Sequence, residues 1–252
     1  MPLPDSDFDV TEVAVPWHVL TAAGHEGVFA SERAGASLAG DPKLLSGVIF
    51  GQLGAEPEAK RCYREMIDTA PFRSPIAWAD LQPDRYDGLI LAGGHAPGMR
   101  QYLDNSVLRD KVARFWALRR PVGAICHGVL VLARTRDPAT GRSVIADRQT
   151  TCLPRYLERG AYYLTAWRWG RYYRTYPEYV QDEVMAALED RSQFHRGPTA
   201  VARGTITDDR PAFVVEDGNY LSARWPGDAY LFASKFLALL DRDQSHPFRR
   251  LT

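Results

Sequence analysis

Lysine is scarce in this 252-residue chain: only Lys43, Lys60, Lys111 and Lys235 among 31 basic residues carry a primary amine. The other basic residues are arginine, a skew read as coding bias rather than as a phosphate-binding design. Net charge of one sign is also missing, because 31 acidic residues balance the 31 basic ones. That balance argues against nucleic acid or an acidic membrane surface as a partner. No run of about 18 apolar residues occurs, so no transmembrane helix is expected. Met1-Pro2-Leu3-Pro4-Asp5 lacks the basic start and apolar core of a secretory signal, which points to the cytoplasm. Cysteine is limited to Cys62, Cys126 and Cys152, an odd count that excludes a disulfide framework and implies free thiols. Neither a Cys-x-x-Cys nor a His-Glu-x-x-His pattern is present, so no metal site and no cofactor are expected.

What is present is an alternation of short apolar runs with helical patterns. Val13, Val15, Val19 and Leu20 recur at helical spacing and predict a helix over 12–23, closed by Gly24. A short strand is expected at 26–30, a helix over 56–68 and a buried strand at 86–91. The glycine loop Gly93-Gly94-His95 follows, then a helix over 106–119, a strand at 121–125 and a helix over 128–134. Strands are expected again at 200–206, 212–215 and 220–222, before a last helix over 228–240 with Asp228 as its cap. Alternating strand, loop and helix predicts a doubly wound, mostly parallel α/β sheet. Residues 150–198 differ: they are rich in Trp, Tyr and Arg and read as two helices broken near Pro177. They form a helical insertion on a core built from 1–149 and 199–252, serving as a lid, a dimer surface or part of the core.

The chemistry concentrates at Ala124-Ile125-Cys126-His127-Gly128. A cysteine on a tight turn between a strand and a helix has the geometry of a nucleophile elbow. The unpaired N–H groups of a helix start favour its thiolate. His127 is placed to act as acid or base on a substrate held at Cys126. Gly93-Gly94, after a strand, can aim backbone N–H groups at a developing oxyanion, with His95 beside them. Glu12 alone reads as a surface residue in the first turn of a helix. Cys152 reads as a packing residue.

Glu12-(x)3-Pro16, Asp87-Gly88-(x)3-Ala92-Gly93-Gly94-His95 and Ala124-Ile125-Cys126-His127-Gly128 occur in an order that resembles the ThiJ/PfpI superfamily, nearest its larger glyoxalase-III-like and chaperone-like branch. The resemblance implies a flavodoxin-like, class I glutamine-amidotransferase-like fold. It implies Cys126 as nucleophile, Glu12 as a carboxylate hydrogen-bonded to the sulfur, His127 as partner histidine, and an anion pocket from the backbone near Gly94 and His127. Two departures stand out. The apolar first strand of such chains is reduced here to a stub over Pro2 to Pro4. The acid that orients the histidine is replaced by Arg155 in Cys152-Leu153-Pro154-Arg155, leaving Glu158 as a candidate one turn later.

By that resemblance the expected function is attack of a Cys126 thiolate on a small electrophilic carbonyl compound, without a cofactor, in the manner of glyoxalase III. Amide or peptide hydrolysis and nitrile-like hydration are alternatives on the same apparatus. From another class come a redox-sensing or chaperone-like stress protein and a non-catalytic binding module. A small-molecule substrate and a homodimer are the expected partners.

Overall fold

The computed structural model describes residues 1–47, 53–199 and 202–245. In chain order its elements are β1 (Ser6–Phe8), α1 (Val10–Ala22), β2 (Ala30–Ser31), β3 (Ala39–Gly40), α2 (Pro42–Ser46), α3 (Pro57–Ile67), α4 (Ala70–Arg73) and β4 (Ile76–Ala77). They continue with β5 (Leu89–Leu91), α5 (Met99–Leu103), α6 (Ser106–Ala117), β6 (Val122–Ile125), α7 (Gly128–Arg134), α8 (Arg155–Trp169), α9 (Val180–Ala187), β7 (Val214–Asp217), β8 (Tyr220–Ala223) and α10 (Ala229–Gln244).

Leu89-Ile90-Leu91 and Val122 to Ile125 are buried throughout, as strands covered on both faces must be. They are neighbours in a four-stranded sheet ordered β5-β6-β8-β7, with β5 at one end and β6 inside it. β5, β6 and β8 run parallel, with Leu91 opposite Ala124 and Ile125 opposite Ala223, while β7 returns antiparallel at the edge. α1 packs on α3 and α10, and α7 packs on α5, α6 and α9. α7 and α10 both contact β6. The C-terminal end of β6, where an open parallel sheet places its ligands, therefore lies at the centre of the molecule. This is the flavodoxin-like α/β arrangement expected from the sequence.

The stub at the N-terminus takes the form expected. Pro2 makes one parallel bridge to Ala30, Leu3 N–H donates to Ala30 O at 2.8 Å, and no ladder extends beyond it. Pro2 and Pro4 carry no N–H, so the chain resumes pairing only at β1, which lies parallel to β3.

Several boundaries differ from expectation. The strand placed at 26–30 is confined to Ala30–Ser31, which pairs with the two-residue β4 on one side and meets only the single bridge to Pro2 on the other. The strand placed at 86–91 narrows to β5, since a turn of 3₁₀ helix (Pro83–Arg85) precedes it. The strand at 212–215 begins two residues later. Residues 200 and 201 of the strand placed at 200–206 lie outside the described residues, and 202–206 is not strand. There Thr205 N–H donates to Asp208 O in a tight turn. Asp228 precedes α10 but makes no capping bond to it; its carboxylate is held by the Phe213 and Arg224 N–H groups and the Arg224 guanidinium.

The aromatic segment holds α8 and α9, with a connection over 170–179 containing Pro177. Its two ends lie side by side: Thr150 N–H donates to Gln193 O at 2.9 Å and His195 N–H to Thr150 O at 2.8 Å. Among the described residues, no helix is long and apolar enough to cross a membrane.

Candidate active site

Cys126 follows β6 directly and has φ +57°, the left-handed region that a residue with a side chain enters only under constraint. Two features hold it there. Its N–H donates to Ala223 O on β8 at 3.1 Å. Behind it, α7 begins at Gly128, where a Cβ would lie 2.1 Å from Leu91 O. Only glycine lets α7 start so close to the end of β5.

Glu12 is brought to the sulfur from α1. Asp9 caps that helix, accepting from Thr11 N–H at 2.8 Å and Glu12 N–H at 3.1 Å, which turns Glu12 inward. Glu12 is fully buried, its Oε2 accepts from Gly93 N–H at 2.8 Å, and its carboxyl interacts with the Cys126 thiol. Its Oε1 has no well-formed hydrogen bond. Gly93 is required because a Cβ there would come within 2.6 Å of His127 N. Its N–H is spent on Glu12, not aimed at an oxyanion as the sequence suggested. The N–H of His127 points at the sulfur of Cys126.

His127 Nδ1 lies 3.5 Å from Cys126 Sγ and its Nε2 lies 3.4 Å from Thr175 Oγ1. The Thr175 hydroxyl donates to His95 O at 2.7 Å, so toward His127 it can only accept. That assigns the proton to Nε2 and leaves the Nδ1 lone pair facing the thiol. The chain of groups is thiol, imidazole, hydroxyl and backbone carbonyl. Loss of the Thr175 hydroxyl in Thr175→Val is expected to lower kcat about 10- to 100-fold with little change in KM, while Thr175→Ser retains most activity. Steady-state kinetics on the two variants checks this.

Glu158 is not brought to His127. It is buried under α8, where Oε1 accepts from Arg174 Nη1 at 3.1 Å and Oε2 from Val180 N–H at 3.0 Å. Burial outweighs those partners and raises its carboxyl to about 7. Because folding favours its protonated form, its stabilising contribution is complete below the unfolded value of 4.5 and is lost as pH rises through about 7. Glu158→Gln is expected to flatten the fall in Tm across that window, read by thermal unfolding from pH 4 to 8.

Electrostatics at the site are set by burial. Burial first, then the charges of Glu12 and Asp9, push the Cys126 thiol well above its ordinary value. The helix-start effect expected from the sequence is overridden. Burial and Asp9 likewise raise Glu12, while burial, His95 and Arg134 lower His127. Each of these shifts favours the uncharged form of its group.

The cover comes from 170–179, part of the insertion for which the sequence left a lid, a dimer surface and core packing open. Thr175 and Tyr173 are each 3% exposed, and the Tyr173 ring stands edge-on to His95 at 5.8 Å. Arg100 Nε holds Thr175 O at 2.9 Å and Tyr172 OH donates to Asp41 at 2.9 Å. The Asp9-x-x-Glu12 spacing is a readable capping signal that could have placed Glu12 earlier. Nothing in the sequence marks Thr175.

Residues 3–198 match the model of the ThiJ/PfpI family-like group. The chain belongs to that family. An uncharacterised protein of Schizosaccharomyces pombe is 30% identical over 165 residues, covering 64% of this chain and 60% of that one. The chain thus spans less than two thirds of this relative. A deglycase of Pyrococcus abyssi is 25% identical over 233 residues, covering 92% and 93%. The crystal structure of glyoxalase III from Candida albicans superposes with a TM-score of 0.67 at 19% identity, covering 94% of each chain, a likeness of fold.

Proposed function

We propose that this chain is a cysteine-dependent enzyme acting on small electrophilic carbonyl compounds, 2-oxoaldehydes above all, with no cofactor. The observation that carries the reading is the constrained Cys126 at φ +57°, with the His127 Nδ1 lone pair 3.5 Å from its sulfur and the Glu12 carboxyl against it. The family and the deglycase relative support an enzyme of this kind.

In the proposed reaction the sulfur attacks the aldehyde carbon while the thiol proton passes through His127 Nδ1 to the aldehyde oxygen. The product is a hemithioacetal. A proton then leaves that carbon and is returned to the neighbouring carbonyl carbon, carried by Glu12 or His127, while the hemithioacetal hydroxyl proton passes to the former ketone oxygen, which leaves a thioester bearing a hydroxyl. Water hydrolyses the thioester, releasing a 2-hydroxy acid and restoring the thiol. Covalent capture divides one difficult isomerisation into easier steps. A neutral thiol and a neutral imidazole suit proton transfer coupled to attack rather than a preformed thiolate. Substrate entry requires movement of the cover over 170–179, because Cys126, Glu12 and His127 are at most 1% exposed.

Incubation with methylglyoxal tests the reading. Catalytic lactate formation, with a hemithioacetal or thioester mass on the peptide containing Cys126, supports it. Stoichiometric oxidation or alkylation without turnover overturns it. Pairing of two chains is also proposed: α8 leaves Tyr163, Leu164 and Trp167 exposed, and sedimentation reads the assembly state.

A further inference from the structure

His95 has no role in the steps above, yet it is held at the site. Its ring stands edge-on to His127 at 4.9 Å, and its Nε2 is buried without a hydrogen-bond partner among the described residues. A buried imidazole nitrogen left unpaired is an uncommon arrangement unless something else occupies its lone pair. His95, Cys126 and His127 each bring one ligand atom to a point where all three lie within 4.8 Å of one another.

We propose that His95, Cys126 and His127 form a closed binding site for a soft divalent cation, zinc above all, and that its occupancy blocks the nucleophile. One thiolate and two imidazoles is a ligand set that zinc favours, with three protein ligands and a fourth position left for water. At zinc bond lengths of about 2.0–2.3 Å the three donors need to draw together by about 1 Å. The tautomer of His127 is already correct for it. Thr175 Oγ1 accepts from Nε2, so Nδ1 is the free ligand atom and the hydroxyl acts as the outer partner that fixes the ring. Binding exchanges the thiol proton for the metal and releases that proton to solvent. The zinc–thiolate unit carries a net positive charge, and Asp9 and Glu12, both in electrostatic reach of the sulfur, offset it on ionising. Arg134, a cation in electrostatic reach of His127, is engaged by Glu183 at 2.6 Å and Asp104 at 2.8 Å. Among the described residues no carboxylate belongs to this cluster, so selectivity rests on sulfur and nitrogen.

Titration of untagged full-length protein with cobalt(II), a spectroscopic stand-in for zinc, tests the site without reference to turnover. One cobalt per chain is expected, with a thiolate-to-metal charge-transfer band in the near ultraviolet that added zinc removes. Cys126→Ala is expected to lose the band, and His95→Gln and His127→Gln each to weaken binding at least tenfold. Absence of the band in folded protein, or unchanged binding in both histidine variants, overturns the proposal. X-ray absorption on the zinc-loaded wild type removes any dependence on variant folding. A shell with one sulfur near 2.3 Å and two nitrogens near 2.0 Å supports the site, and a shell without sulfur overturns it.

Discussion

Cys126→Ala is expected to lower turnover of 2-oxoaldehydes by about 10⁴-fold or more, leaving the fold intact. The magnitude follows from the chemistry, because an alanine offers no atom that can form the covalent adduct, and groups that act as a unit are lost together. Cys126→Ser is expected to fall nearly as far. Its hydroxyl is far less acidic than a thiol, and the neutral His127 that receives the proton is not backed by a carboxylate. Stability separates from activity at this position. The φ of +57° costs roughly 1–3 kcal/mol for a residue with a Cβ, and alanine keeps that Cβ. Cys126→Gly releases the strain, so it is expected to be about 1 kcal/mol more stable than Cys126→Ala and equally inactive. Denaturant melts of the two variants check the difference. The pH dependence has a fixed sign. Burial and the carboxyls of Glu12 and Asp9 hold the thiol well above its ordinary range, so alkylation of Cys126 by iodoacetamide rises steadily with pH and shows no plateau near neutrality.

The sheet around Cys126 was readable because each of its parts is short, apolar and bounded by turn residues. Val122 to Ile125 and the helix after Gly128 fall where the pattern puts them. Glu12 was not readable from its own surroundings. A glutamate in a first helical turn is ordinarily exposed, and only the fold turns α1 so that this one is buried against the sulfur. Thr175 and Tyr173 were out of reach for a different reason. They lie 49 and 47 residues beyond Cys126 and reach the site through the path of the 170–179 connection, which no local periodicity encodes. Glu158, the acid nearest in sequence to the expected place, is held elsewhere, and a hydroxyl anchored on His95 O faces His127 instead. Asp228 was misread by the same logic, since a capping residue and a counter-ion look alike until Arg224 is seen beside it.

Breaking the Arg224–Asp228 pair is expected to cost about 3–5 kcal/mol, the largest stability effect of any single polar substitution considered for this chain. Both side chains are fully buried, and the contact is two-pronged, with Nε to Oδ2 at 2.9 Å and Nη2 to Oδ1 at 2.8 Å. The guanidinium also donates to Pro198 O at 2.7 Å, and the carboxylate accepts from Phe213 and Arg224 N–H groups. One ion pair thus closes the segment leading from the aromatic insertion onto β7, β8 and the start of α10. Asp228→Ala leaves a buried cation with only the Pro198 and Pro211 carbonyls for partners and strands two backbone donors. Arg224→Met leaves the carboxylate two N–H donors and room to protonate, so it is expected to cost less. Urea melts of both are expected to rank Asp228→Ala below Arg224→Met, with methylglyoxal turnover of the folded fraction little changed. A pair that merely decorated the surface would give losses under about 1 kcal/mol for either variant. Equal small losses would therefore show that this buried pair does not hold β7, β8 and α10 together.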